Sequence, residues 1–282
     1  MMPTFSMNTV ISHTDTDEDF AFIRDIVYRL SRISLGPHKK PMVLSRIAKR
    51  IRVLGLGSVR EYCELLRKPS GQAELSSLID VISTNHTYFF RETTHFDYLT
   101  REILRHQRGI RREPFRIWSA ACSSGEEPYS VAMILGEQSR IDAKFKWQME
   151  ATDISSTVLE KAKKAEYPKT AISRVPQVLQ DRYLDYLGSG ERVAVKENLK
   201  RHIHYSRLNL LDIPSRFPNK FDLILCRNVM IYFDRQTREE LINEMTGRLT
   251  DDGHLFVGHS ESLGGLNHRL RMVQPAVYVK ES

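Results

Sequence analysis

One stretch restricts the fold of this chain more than any other: Trp118-Ser-Ala-Ala-Cys-Ser-Ser-Gly-Glu-Glu-Pro-Tyr-Ser130. It follows the strand-like run Phe115-Arg-Ile-Trp118 and precedes a helical run over 131–137. A strand that passes through small residues and a glycine into a helix is the opening of a nucleotide-type α/β site. Small side chains let the backbone approach a ligand, and the helix N-terminus offers free N–H donors there. Glu126 and Glu127 follow Gly125 directly and would repel a phosphate. They suit a ligand with positive charge, an amine or a sulfonium, and S-adenosylmethionine carries both.

The flanking sequence supplies the other parts such a site needs. Residues 145–152 alternate apolar and polar as a strand does, ending in Asp153, 28 residues after Gly125. Alone, Asp153 would read as a helix N-cap. In register with 118–130 it reads as the acidic residue that closes a second strand and accepts hydrogen bonds from ribose hydroxyls. Phe221-Asp-Leu-Ile-Leu-Cys226 reads as a buried strand running into Arg227-Asn228-Val-Met-Ile-Tyr232-Phe. Its Asn and Tyr fall at the carboxyl edge of the sheet, where open α/β sheets bind ligands.

Strand and helix alternate over 116–121, 131–137, 146–152 and 157–165, and strands resume at 203–208, 221–226, 254–257 and 276–280. That alternation predicts a parallel, doubly wound sheet. It breaks over about 167–201, where a helical piece near 177–187, a Gly188-Ser-Gly190 turn and a short strand at 192–195 predict a small inserted β-subdomain. The first 90 or so residues read as helices. Phe20, Ile23, Val27 and Leu30 make one apolar stripe behind acidic residues at 15–19. Pro41 opens a second helix with Leu44, Ile47, Ile51 and Leu54 on its apolar face and Gly55 and Gly57 behind it. Shorter amphipathic pieces follow at 58–67 and 74–82, split by Pro69-Ser-Gly71, then a helix over 95–104 and a basic connector. The expected organisation is a helical domain over 1–90 and an α/β domain over 91–282.

Composition narrows the function. The chain is 41% hydrophobic, enough for a core, yet has no apolar run of the ~18–20 residues a membrane span requires. Residues 1–19 lack the basic start and apolar middle of a secretion signal. Cys63, Cys122 and Cys226 form no close pair, so free thiols and a cytoplasmic location are expected. The ten histidines show no ligand spacing along the chain, and no metal site is expected. Between Asp25 and Glu61 stand nine Lys or Arg and no acid. On the Pro41 helix Arg46, Lys49 and Arg50 share a face, roughly 100° from the apolar stripe. A face of one sign marks an acidic partner, either nucleic acid or an acidic protein helix, and the net charge of +7 does not separate them.

Four motifs now stand in order: Thr84-Asn-His-Thr-Tyr-Phe-Phe-Arg91-Glu92, the 118–130 stretch, Cys226-Arg-Asn-Val-Met-Ile-Tyr-Phe233 and Gly258-His-Ser-Glu261. Together they resemble the CheR family of chemotaxis receptor glutamate methyltransferases, from about residue 20 to the end. Ser124 stands where the family often has Thr. A Gly-x-Gly-x-Gly run is absent, with Ala121 and Ser123 at the earlier positions.

The resemblance implies a class I S-adenosylmethionine-dependent methyltransferase fold, Rossmann-like with a mostly parallel sheet, an N-terminal all-helical domain and an inserted β-subdomain. It implies methyl transfer from S-adenosylmethionine to glutamate carboxylates on the cytoplasmic helical region of chemoreceptors, leaving S-adenosylhomocysteine. Residue by residue, it places Glu127 at the amino-acid end of the cofactor, Asp153 on the ribose and Asn209 and Leu210 at the adenine. Asn228 and Val229 line the pocket, and Asn85 and Thr87 make further contacts. Arg91 touches both cofactor and incoming carboxylate, and Tyr232 orients that carboxylate. Arg46, Lys49 and Arg50 dock the substrate, with Arg52 beside them but off that face. A monomer is expected. Some members pair the inserted subdomain with a receptor C-terminal peptide; the short 188–192 loop here argues against that. Two other readings are an RNA methyltransferase, which lacks its Asn/Asp-Pro-Pro-aromatic motif at 228–232, and a cofactor-binding module without turnover.

Overall fold

The computed structural model describes residues 17–106, 113–213, 217 and 220–281. Asp15 of the expected acidic cap and the basic connector at 107–112 lie outside them. The chain divides into a helical unit, Met1–Thr84 with Tyr232–Asp234, and a larger unit, Asn85–Ile231 with Arg235–Ser282.

The helical unit contains α1 (Asp17–Ser31), α2 (Lys40–Val53), α3 (Val59–Arg67) and α4 (Gln72–Ile82). α1 buries Phe20, Ile23, Ile26 and Val27, so Ile26 rather than Leu30 completes its stripe. α2 has Pro41 in its first turn, where a missing N–H costs nothing, and buries Val43, Leu44, Ile47 and Ile51. Leu54 falls past its end and is exposed, a correction to the expected apolar face. Ser58 caps α3 by accepting the Glu61 N–H at 3.2 Å, and the Glu61 carboxylate reaches back to the Gly57 N–H at 3.0 Å, a reciprocal cap. Gly71 lets the chain turn between α3 and α4, since a Cβ there would lie 2.1 Å from the Leu65 carbonyl oxygen.

The larger unit begins with α5 (Thr93–Tyr98), which passes through a π turn at Leu99–Ile103 into α6 (Leu104–His106). Then come β1 (Phe115–Ala120), α7 (Glu126–Ile141), β2 (Trp147–Asp153) and α8 (Ser156–Lys164). The inserted segment contributes β3 (Glu166–Pro168), α9 (Gln177–Tyr183), β4 (Leu184–Leu187), β5 (Arg192–Val195) and α10 (Glu197–Lys200). The chain closes with β6 (Ile203–Arg207), β7 (Phe221–Cys226), α11 (Arg235–Gly247), β8 (Leu249–Val257), β9 (Leu270–Gln274) and β10 (Val277–Lys280).

Seven strands form one sheet in the order β6-β2-β1-β7-β8-β10-β9. β6, β2, β1, β7 and β8 pair in parallel, and β10 runs antiparallel to β8 and β9. This is the class I methyltransferase sheet with its antiparallel edge hairpin. The order reverses between β1 and β7, and ligands of open α/β sheets bind at the carboxyl ends of the strands beside such a switch. β1 and β7 are buried almost throughout, as strands covered on both faces must be.

A separate antiparallel sheet, β3-β5-β4, forms the inserted subdomain. The helix expected over 177–187 ends at Tyr183, because Leu184–Leu187 pairs with β5 instead. Gly188 and Gly190 both take positive φ in the turn that makes this hairpin. The boundary expected at residue 90 moves to Thr84/Asn85. The reason is local: Ser123 donates its hydroxyl to the Asn85 carbonyl at 3.0 Å, and the Phe90 N–H donates to Ser130 Oγ at 2.9 Å. Residues 85–90 are therefore tied to the loop after β1 and to α7.

Candidate functional site

Strained backbone gathers where β1 and β7 end. Ala121, Ser123 and Gly125 take φ of 62°, 50° and 98° along the loop after β1, Asn228 takes 60° after β7, and Phe90 and Glu92 take 55° and 59°. A non-glycine residue in this region costs on the order of 1–3 kcal/mol, and such residues cluster where a site is held in shape by its surroundings. Gly125 has a second reason to lack a side chain, since a Cβ would lie 2.8 Å from the Tyr167 hydroxyl and 3.0 Å from Ala162 Cβ. Tyr167 in turn donates to the Ser124 carbonyl at 2.8 Å, clamping the loop from β3.

Asp153 closes β2 with its carboxylate buried. Its oxygens accept the Ser123 N–H at 2.8 Å and the Ser155 N–H at 2.9 Å. The carboxylate ties the β1 loop to the β2 loop, while the cap of α8 is made not by Asp153 but by Ser155, whose Oγ accepts from the Val158 N–H at 3.4 Å. Helix α7 begins at Glu126, five residues before the helical run expected from 131. Glu126 is buried and accepts the Ser124 hydroxyl at 2.7 Å; burial pushes its carboxyl above the usual range. That is a structural position.

Glu127 is held from two sides. Ser119 Oγ donates to Oε1 at 2.7 Å and Arg227 Nη1 to Oε2 at 3.0 Å. Arg227 is the residue the sequence reasoning left without a role. Its side chain is 1% exposed, and its other amino group meets Glu92 Oε2 at 2.9 Å and the Arg91 carbonyl. One buried cation between two carboxylates leaves a net charge of −1 on Glu92, Arg227 and Glu127 together. Burial pushes the Glu92 carboxyl up, but the Arg227 charge and hydrogen bonds outweigh this and hold it below its ordinary value.

The turn after β7 is fixed by Glu261, also buried. Its carboxylate accepts the N–H groups of Asn228 and Met230 at 2.7 Å each, Gly258 at 2.6 Å and Ile231 at 3.3 Å. Burial nevertheless leaves the Glu261 carboxyl above its ordinary value, with those N–H groups opposing the rise. Asn228 Nδ2 donates to Glu92 Oε1 at 3.2 Å, which joins this turn to the Arg227 cluster. A Cβ on Gly258 would lie 2.4 Å from Asn228 Nδ2 and 2.7 Å from Glu261 Oε2, which accounts for glycine in Gly258-His-Ser-Glu261.

Asn209 and Leu210 follow β6, where Asn209 Oδ1 accepts the Leu211 N–H at 3.2 Å and Leu210 is buried. Val229 is half-buried beside Asn228, and Thr87 is half-buried in the segment before Arg91. Arg91 donates to the His86 carbonyl at 2.9 Å and lies over the Tyr88 ring. Tyr232 groups with the helical unit, where its carbonyl accepts the Ser34 N–H at 2.8 Å. Cys122 and Cys226 are buried, and burial raises both thiols well above their ordinary range, so neither is a nucleophile.

Among the described residues Glu92, His95 and His259 bring potential ligand atoms within 4.8 Å of one another, a grouping the sequence spacing conceals. Arg227 already supplies the cation at Glu92, and a divalent ion there would be repelled by it. Burial and the Arg227 charge push the His95 ring down to about 3, so it stands neutral against Phe256.

In the helical unit the basic face is partly neutralised. Arg50 forms a two-pronged pair with Glu74 at 2.8 and 2.7 Å, and Glu74 also accepts the buried Tyr62 hydroxyl at 2.8 Å. Arg46 donates to the Ile82 and Ser83 carbonyls at 2.6 and 3.2 Å, closing the C-terminus of α4. Both are thereby engaged in the unit's own packing. Lys49 and Arg52 are exposed, and Arg52 Nε donates to the Ala48 carbonyl at 3.4 Å.

Comparison with known proteins matches both units. Residues 85–279 match the family described as CheR methyltransferase, SAM binding domain, and residues 18–83 match CheR methyltransferase, all-alpha domain. The chain is 43% identical to the chemotaxis protein methyltransferase of Borreliella burgdorferi over 94% of its own length and 95% of that relative. It is 37% identical to that of Salmonella typhimurium over 93% and 90%, and 38% identical to that of Escherichia coli over 93% and 91%.

Proposed function

The chain belongs to the CheR methyltransferase family and is an S-adenosylmethionine-dependent methyltransferase of chemotaxis, and from that premise we propose that it esterifies glutamate side chains on the cytoplasmic helical region of chemoreceptors. The observation that carries the reading is the charge and shape of the strand ends. Glu92 and Glu127 share Arg227 in a net negative cluster, and Asp153 holds the strained loop after β1 through the Ser123 N–H. That environment favours a cationic ligand and disfavours a phosphorylated one.

Bound S-adenosylmethionine supplies an electrophilic methyl on a sulfonium. Glu127 takes the amino group of its amino-acid end, Asp153 the ribose, Asn209 and Leu210 the adenine, and Asn228 with Val229 one wall, while Asn85 and Thr87 make supporting contacts. The acceptor glutamate, with a pKa of about 4.3, is already ionised near neutral pH, so no general base is needed. The protein's work is alignment and exclusion of water. Arg91 holds the acceptor carboxylate through part of its guanidinium, and Tyr232 keeps the orienting role the resemblance gives it. Lys49 and Arg52 are the exposed cations of α2 that meet an acidic receptor helix; at ~0.2–1 kcal/mol for each exposed pair the complex is weak and salt-sensitive. The site of action is the cytoplasmic face of the receptors.

The test is mass spectrometry of a chemoreceptor cytoplasmic fragment incubated with the protein and S-adenosylmethionine. The mass increment of a methyl ester on glutamate, lost when that glutamate is replaced by glutamine, supports the reading. Methylation at lysine or another side chain overturns it.

A further inference from the structure

Tyr88 carries two guanidinium groups. Arg91 Cζ lies 5.7 Å from the centre of its ring, and Arg174 Cζ lies 4.3 Å from it. Arg174 comes from the inserted segment, between Ile172 and Val175, both buried, and the Val175 N–H donates to the Ile172 carbonyl at 2.9 Å. Its backbone is thereby anchored while its side chain remains exposed. Among the described residues neither Arg91 nor Arg174 makes an ion pair with a carboxylate.

Two like charges sharing one aromatic ring repel each other, and a ring attracts a cation by only about 0.5–1 kcal/mol at an exposed site. A guanidinium presents its N–H donors in a fork that matches a carboxylate. Two guanidiniums beside one ring, neither paired with a carboxylate among the described residues, suit an acidic ligand.

We propose that Arg174 is a substrate-binding residue, and that it grips a second carboxylate of the acidic segment whose acceptor glutamate is held by Arg91. Tyr88 is the spacer that keeps the two guanidiniums at a fixed separation. The inserted subdomain thus reads the acidic side chain that neighbours the acceptor, and sites flanked by a second acid are preferred. This inference rests on the reading of Arg91 given under Proposed function.

The experiment measures binding of a fluorescein-labelled, glutamate-rich helical peptide from a chemoreceptor methylation region to wild type, R174K and R174E. S-adenosylhomocysteine affinity is measured in parallel as a check on the fold. R174E is expected to weaken peptide binding about fivefold or more and R174K about twofold, because lysine keeps the charge and loses the fork. S-adenosylhomocysteine affinity stays unchanged, and KM for a receptor fragment rises with kcat constant. Equal peptide affinity in wild type and R174E overturns the inference, whether or not the fragment is methylated. Loss of binding in R174E with no methyl transfer by wild type overturns the acceptor reading and leaves the clamp standing.

Discussion

Replacing Arg227 by methionine keeps most of the side-chain volume and removes the charge that Glu92 and Glu127 share. The three side chains are 1%, 13% and 12% exposed, so water cannot replace the lost guanidinium. Removing one partner of a buried pair costs about 3–5 kcal/mol, and at about 2–4 °C per kcal/mol for a unit of this size the larger unit's Tm should fall by about 6–20 °C. The pH dependence supplies a sharper test. Arg227 depresses the Glu92 carboxyl, so the stability this pair contributes is present above the unfolded value of about 4.3 and is lost as pH falls through the lower folded value. The gap between wild type and R227M should therefore be full at pH 7 and narrow below pH ~4.3. Thermal unfolding followed by circular dichroism at both pH values measures it. A Tm change under about 2 °C at pH 7, or a gap that does not narrow in acid, would refute the reasoning.

Gly258→Ala should weaken S-adenosylhomocysteine binding by about tenfold or more, equivalent to about 1.4 kcal/mol, because the new Cβ displaces the Asn228 turn; isothermal titration calorimetry reads this. Arg50→Ala should lower the helical unit's stability by about 1–3 kcal/mol through the orphaned Glu74, whereas Lys49→Ala should leave the melt unchanged and raise KM for a receptor fragment a few-fold. Arg91→Ala should abolish transfer while leaving part of the cofactor affinity. Asp153→Ala should weaken cofactor binding first, since it also frees the Ser123 and Ser155 N–H groups. Full activity in the Arg91 variant would remove that residue from the reaction.

The elements legible in the sequence are those whose signal is local. The run from Trp118 to Ser130, the alternation before Asp153 and the apolar strand before Arg227 each carry their own period or punctuation, and each falls where the sheet uses it. What the sequence concealed is long-range. Arg50 and Glu74 stand 24 positions apart on different helices, so no i,i+4 rule links them, and a face that looked uniformly basic is half spent inside the unit. Arg227 and Glu92 are 135 positions apart. A visible trace did exist: Arg227 continues a fully buried strand, and a charge in that position demands a buried partner. Leu184–Leu187 was unreadable for a different reason, because its pairing with β5 overrides the helical period of α9. His95 and His259 stand 164 positions apart yet their rings meet at 5.0 Å, a contact no local period announces.

The central claim is the carboxylate acceptor. The measurement is transfer of labelled methyl from S-adenosylmethionine to a chemoreceptor cytoplasmic fragment, followed by mild alkali. Label that appears on the fragment and leaves as volatile methanol is the expected result, since only a carboxyl ester hydrolyses so readily. Label that stays on the fragment through alkali, or cofactor binding with no transfer to any receptor fragment, would contradict it.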